Sequence, residues 1–327
     1  MLGGFHEGAA GFVYSVGPAM YKQILISKYL TRKLVPMFAA AAVTLCTAMV
    51  IIVISVMGGF LDLLREGAQR LTADVTIVDY GLRGFPHYDE LQQRLMALDS
   101  VEAATPVIHT WGLMKLEDEL GNTTVRPVHV MGIRPETYRH VTDYEGALYW
   151  TQQRLDAQAQ REEYPDSLES WRAVPWKQLG MALRVRNRTT GTVQPGAVLG
   201  ISTHRWHTRD EQGRYNVRRS ALGATATVAV VPMTESGAMR DLRPVDRQFV
   251  VVNEFKSGLH EIDQDRIYVP FDDLQGMLSM DAEQVWEQYD EQTGEPIGDP
   301  VTRPARASMM MVVGRVEAPA AGPDARV

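Results

Sequence analysis

The residues best placed to do chemistry lie in one short stretch, His204-Arg-Trp-His207, followed by Asp210 and Glu211. Two imidazoles and a carboxylate are a donor set that zinc accepts. Three arginines, Arg205, Arg209 and Arg214, crowd the same stretch. Their charge opposes a bound cation, so the sequence-based expectation is no metal. With Arg218 and Arg219 they form a basic cluster that suits an acidic partner or lipid headgroups, or else a solvated loop. Other catalytic patterns are missing. There is no G-x-x-x-x-G-K-[ST] phosphate loop and no G-x-S-x-G nucleophile elbow. The single cysteine, Cys46, excludes an internal disulfide and a cysteine-rich zinc site. It sits inside an apolar run, where a thiol acts as a small hydrophobe. No Lys or Arg occurs between Ile267 and Thr302, while acids recur from Asp272 to Asp299, which reads as a solvated acidic face. The expectation is therefore a chain that is no enzyme, with no catalytic residue, no cofactor and no metal.

What must position these residues is set by a strongly uneven hydropathy. The 327 residues include 45% hydrophobic and 22% charged side chains, ordinary for a packed protein. The formal charge of −7 argues against a nucleic-acid partner. Mean hydropathy is −0.18, too polar for a bundle of membrane helices. Yet Leu34 to Leu61, LVPMFAAAAVTLCTAMVIIVISVMGGFL, holds 28 residues without a charge. A helix of that length reaches about 42 Å at ~1.5 Å per residue, enough to cross a ~30 Å hydrocarbon core with tilt. A signal peptide's apolar region is shorter, ~7–15 residues. Lys22, Lys28, Arg32 and Lys33 precede the run, whereas Arg65 and Arg70 behind it are offset by Asp62, Glu66, Asp74 and Asp79. The positive-inside rule then puts the N-terminus in the cytoplasm and everything after about residue 61 outside. Tyr21, Ile24, Leu25 and Tyr29 share one helical face, which suits either a short interfacial helix or the frayed start of the span.

Beyond the run, Leu61–Leu71 continues the helix. Ala73–Tyr80 alternates as a strand, and Tyr88, Leu91, Leu95 and Leu98 recur at helical spacing. Val101–Leu116 and Thr124–Ile133 read as strands joined at Gly121-Asn122. A related pattern closes the chain: strands at Gln248–Phe255 and Arg266–Phe271, a short helix capped by Asp272, and a strand at Ser308–Val316. Between these halves, Gly196–Ile201 and Ala224–Val231 read as strands of a second, β-rich lobe. The expected fold class is α+β: one N-terminal transmembrane helix, then an α+β lobe with a β-rich lobe inserted between its halves.

Taken in order, a basic N-terminal helix, a span ending S-V-M-G-G-F (Ser55–Phe60) and a strand beginning A-D-V-T-I resemble the lipoprotein-releasing (Lol-type) permeases of ATP-binding-cassette transporters, relatives of the MacB macrolide-exporter and FtsX-like permeases. Val130-Met-Gly-Ile-Arg-Pro135 and Gly196-Ala-Val-Leu-Gly200 are similar to two further family elements. The densest likeness lies in Phe249–Leu278, at Phe255, Ser257, Gly258, Glu261, Asp263, Val269, Pro270, Asp273 and Gln275. Three features depart from the pattern. Val141–Gly180 and His204–Arg219 are longer than the family usually has, and at Leu222-Gly223-Ala224 alanine stands for the family's aspartate. The family also continues into three further membrane helices beyond the region covered here, so the resemblance implies an N-terminal portion, from a split gene or a fragment, or a single-span variant.

The resemblance implies an extracytoplasmic MacB-like periplasmic core domain, organised as follows. Residues 1–33 are the cytoplasmic N-terminus and interfacial helix, 34–61 the span, 62–140 and 246–318 the halves of a porter-like lobe, 141–245 an inserted lobe, and 319–327 a tail. It implies a permease subunit of the inner membrane that couples ATP hydrolysis by a separate cytoplasmic ATPase to movement of a lipidated or amphipathic substrate. Its partners would be membrane lipid, that ATPase, and a second permease subunit in a homo- or heterodimer, with no nucleic acid. Ser55, Val56, Met57, Gly58, Gly59, Phe60, Leu61 and Leu64 join span to lobe and are the expected mechanical coupling positions. The rival reading is a single-span extracytoplasmic binding or scaffold module without transport.

Overall fold

The computed structural model describes residues 22, 34–69, 72–79, 84–117, 123–159, 180–186, 191–204, 206–212, 214–217, 220–232, 243–286, 288–289 and 296–315. The expected interfacial helix apart from Lys22, the turn at Gly121-Asn122, the aromatic stretch around Tyr164, Trp171 and Trp176, the residues Arg205, Arg218 and Arg219, and the 319–327 tail lie outside these. The chain divides into two units, Met1–Leu63 and Leu64–Val327.

The apolar run is helical because nothing in it breaks the hydrogen-bond ladder after Pro36, near the first turn, where a missing N–H costs nothing. Helix α1 (Leu34–Gln69) is unbroken through Gly58-Gly59. Its Met37–Asp62 segment is long and apolar enough to cross a membrane, and none of it is buried by the protein. Ile51, Ile52 and Ile54 are 66%, 61% and 66% exposed. Both threonine hydroxyls in the span are satisfied locally: Thr44 Oγ1 donates to the Ala40 carbonyl at 2.8 Å and Thr47 Oγ1 to that of Val43 at 3.0 Å.

The second unit is built on strands. β1 (Val75–Val78), β2 (Phe85–Pro86) and helix α2 (Tyr88–Met96) lead into a long hairpin of β3 (Val101–Glu117) and β4 (Thr123–Ile133). Short helices α3 (Pro135–Tyr138), α4 (Tyr144–Ala147) and α5 (Gln152–Ala159) follow. Next come β5 (Arg184–Arg186), β6 (Val193–Gly200), β7 (His207–Arg209), β8 (Tyr215–Val217), β9 (Thr225–Val230) and β10 (Val245–Phe255). Helix α6 (His260–Asp265), β11 (Arg266–Pro270) and helix α7 (Phe271–Met277) complete the second motif-rich stretch. Small pairs β12 (Glu283–Val285) with β15 (Val301–Arg303), and β13 (Gln288–Tyr289) with β14 (Pro296–Ile297), carry the acidic segment. β16 (Arg306–Ala307) and β17 (Met309–Gly314) end the described chain.

Six of these strands close a ring in the order β3-β4-β11-β6-β10-β9, because Gly112–Glu117 of β3 pair with both β4 and β9. The first half of β3 pairs instead with β17, which carries β1 at the edge. Period two along each strand sends one set of side chains inward. Met114, Leu116, Val128, Val130, Leu199, Val228, Val251 and Ile267 form this buried core. The alternate set on β4, β6, β10 and β11 faces outward and is covered by the chain around α3 and α4, through Tyr138, Tyr144 and Leu148. Gly112 permits the closure: a Cβ there would stand 2.7 Å from the Ala229 carbonyl oxygen and 3.0 Å from a Val230 methyl.

The fold is mixed α+β with one N-terminal apolar helix, as the sequence suggests, but the strands are distributed differently. β6 and β9, expected in a separate inserted lobe, share the barrel wall with β3, β4, β10 and β11. Cross-strand pairing over more than 100 residues of sequence cannot be seen in local patterns. Two local expectations also change. Asp272 does not cap α7; Pro270 holds that position and Asp272 sits in the first turn. β1 does not hide one face, since all four of its residues are exposed.

Candidate functional site

The two histidines singled out by sequence come together, but not with the acids next to them. Asp210 turns to Arg214, whose backbone N–H reaches its Oδ1 at 2.7 Å and whose Nε reaches its Oδ2 at 2.9 Å. Those contacts depress the Asp210 carboxyl, the Arg214 backbone N–H foremost. The acid that His204 and His207 meet is Glu254, near the end of β10. His204 Nε2 lies 2.6 Å and His207 Nε2 2.7 Å from the same oxygen, Glu254 Oε1. The side chains of all three are completely buried. The other oxygen, Oε2, accepts the indole N–H of Trp150 at 2.5 Å.

Each partner is fixed by its own surroundings. Asn253 Oδ1 accepts the Trp150 backbone N–H at 3.0 Å and Asn253 Nδ2 donates to the Trp150 carbonyl at 3.1 Å. The Tyr149 N–H donates to the Glu254 carbonyl at 2.7 Å. This clamps the strap before α5 to the end of β10. The turn that carries the histidines is anchored by Arg126 Nη1 on the carbonyls of Ser202, 3.0 Å, and Thr203, 3.3 Å. The imidazole rings sit 4.6 Å apart, edge to face. His204 Nδ1 faces the Trp206 N–H at 3.4 Å, and His207 Nδ1 is buried with no partner. Burial opposes the charge on Glu254, but His207 and His204 outweigh it and hold the carboxyl far below its ordinary range.

The family-motif positions fall together in a different place. Asp263 Oδ1 accepts the Ser257 N–H at 2.6 Å and the Ser257 hydroxyl at 2.7 Å. Gly258 adopts φ 94°, a backbone that side chains disfavour. Burial raises the Asp263 carboxyl against the downward pull of the Ser257 and Gly258 amides. Phe255 is buried edge-on to Tyr268, ring centres 4.9 Å apart. Pro270 precedes α7; Asp273 in its first turn pairs with Arg184 and Arg247, each at 2.8 Å. Gln275 Nε2 donates to the Tyr88 hydroxyl at 3.2 Å and the Arg306 carbonyl at 2.8 Å. Glu261 is exposed. These residues thus tie β10, α6, β11 and α7 to β5, α2 and β16.

Of the coupling positions, Ser55–Leu61 lie on α1 with exposed side chains, and a Cβ on Gly58 or Gly59 would meet nothing within 4 Å. The Leu64 side chain is outside the described residues. An open cleft of about 440 Å³ beside β1 is lined by Asp74, His140, Thr142 and Asp143 but gathers no convergent buried donors. Sequence reading missed Glu254 and Trp150, which stand 50 and 54 residues from His204. The one available signal was Asn253-Glu254, two polar residues between the apolar run Phe249–Val252 and Phe255.

No family model and no curated protein matches this chain. Two solved structures align with most of it. The extracellular domain of the noncanonic ABC-type transporter YknZ from Gram-positive bacteria is 12% identical, with 75% of this chain and 85% of that one covered, at a TM-score of 0.30. The periplasmic region of MacB from Actinobacillus actinomycetemcomitans is also 12% identical, with 79% and 82% covered, at a TM-score of 0.30. Both superpose loosely, so the functional reading rests on this chain's own residues.

Proposed function

We propose that this chain is a permease subunit, or the first part of one, of an ATP-driven transporter of the lipoprotein-releasing, MacB-like class in the inner membrane. In this reading α1 spans the bilayer with its N-terminus in the cytoplasm, and the barrel domain stands outside. A separate ATPase supplies the energy, as the family resemblance implies. A second permease subunit completes the membrane portion, and the substrate is lipidated or amphipathic.

The observation that carries the reading is the continuity of α1. The apolar Met37–Asp62 segment, uncharged up to Leu61 and containing the Ser55–Phe60 run, continues as helix without interruption to Gln69. A helix that keeps its ladder through Gly58-Gly59 transmits rotation and translation, where a glycine hinge would absorb them. The ordered family motifs support the same class. The test is isolation of the tagged chain from native membranes in mild detergent. The reading expects a stoichiometric ATPase carrying a phosphate loop, with nucleotide hydrolysis in the isolated complex. Isolation of the chain without any such subunit would favour the scaffold alternative.

A further inference from the structure

We propose that His204, His207 and Glu254 form a binding site for one divalent transition-metal ion, with zinc the best match to the donors. The inference is independent of the transporter reading. One ligand atom from each residue lies within 4.8 Å of the others, and all three residues are buried. Two imidazole nitrogens and one carboxylate oxygen make a borderline set that suits zinc and its neighbours over calcium or magnesium, which take oxygen donors.

The convergence is specific in three respects. Both Nε2 atoms aim at the same Glu254 oxygen, at 2.6 and 2.7 Å, so the donors already share one focus. Trp150 Nε1–H occupies the other oxygen, which presents Oε1 alone, as a carboxylate bound through one oxygen requires. Two of the arginines that seemed to forbid a cation are engaged elsewhere: Arg214 is paired to Asp210, and Arg209 lies toward the Tyr215 ring at 6.0 Å; Arg205 lies outside the described residues. The focus of the cluster is a fully buried carboxylate, and a divalent cation at Oε1 would balance its charge.

Loading requires a small rearrangement. Metal–nitrogen bonds of ~2.0–2.1 Å set donors farther apart than the present hydrogen bonds, so the rings must part slightly. Each neutral ring then carries its single proton on Nδ1. In His207 that N–H needs an acceptor which the present arrangement does not place beside it, and in His204 the long 3.4 Å contact with the Trp206 N–H must give way. Three protein donors leave one position for water. Because His204 sits on the turn after β6, His207 at the start of β7 and Glu254 on β10, the ion would cross-link the β6–β7 connection to the barrel wall.

The test uses the full chain in detergent, without a histidine tag and freed of metal by chelator. Calorimetric titration with zinc should give one ion per chain and raise the thermal midpoint by several degrees, with calcium and magnesium inert. Cobalt should give the intense visible absorption of a four-coordinate site. His207→Ala and Glu254→Gln, each checked for a native circular-dichroism spectrum, should lower affinity at least 100-fold. Absence of stoichiometric zinc and cobalt binding by the folded wild type would overturn the proposal and leave a hydrogen-bonded clamp only. Undiminished binding in both folded variants would overturn it equally, by placing the ion elsewhere.

Discussion

Helix α1 and the barrel are made of the same side chains, chiefly Val, Ile, Leu, Met and Ala, yet they solve opposite problems. In the barrel, Val130, Val228 and Leu199 reach 0% exposure by turning toward one another. In α1, Val53, Ile54 and Val56 remain 59%, 66% and 68% exposed. The barrel strands send alternate side chains to two faces, each covered by other parts of the same domain, and the helix is apolar on every side. A side chain's hydropathy therefore does not say what covers it; the periodicity does. One region buries its apolar surface in itself, the other needs a bilayer to do so.

Four changes sharpen that contrast, in falling order of effect. Val130→Asp places an unpaired carboxylate inside the closed ring, at a cost of more than about 4 kcal/mol. The barrel should fail to fold, read as lost protease resistance, while α1 still reaches the membrane. Ile52→Arg does the reverse. It should cost insertion about 2.5–3.5 kcal/mol at the helix centre, seen as chain released by alkaline carbonate, with the barrel's tertiary circular dichroism unchanged. Gly112→Ala should destabilise the barrel by about 1–3 kcal/mol, because the new methyl meets the Ala229 carbonyl; an unchanged urea midpoint would mean the β3–β9 seam is looser than described.

The smallest effect is a pH slope on the barrel's outer face. Burial, then Arg266 and His109, lower the His129 pKa to about 4. The folded state thus favours neutral His129, and its contribution is whole above the unfolded value of ~6.5 and lost as pH falls toward 4. His129→Gln should flatten the decline in urea midpoint between pH 7 and 4.5. An identical decline in both proteins would show that His129 does not contribute.

The strands β3, β4, β10 and β11 were legible because each is a run rich in β-branched and aromatic residues bounded by polar or turn residues, and α1 because its run is uncharged and long. Ring closure was not, since the pairing of Leu113 with Ala229 depends on register across more than 100 residues. The buried cluster was half legible. His204 and His207 announce themselves by spacing, but the nearby Asp210 and Glu211 were the wrong acids. Asp210 folds back on Arg214 through a local turn, while Glu254 arrives from a distant strand. Local sequence shows which groups are available; only the chain's path decides which meet.

The central claim is that α1 crosses the membrane and leaves the barrel outside. The direct measurement is labelling of a cysteine at Glu102, an exposed position at the start of β3, in a Cys46→Ala background, with a membrane-impermeant maleimide. If the account holds, spheroplasts with an intact inner membrane label Glu102→Cys fully, and a cysteine at Lys22 only after permeabilisation. Labelling of Glu102→Cys that appears only after the membrane is opened would contradict it.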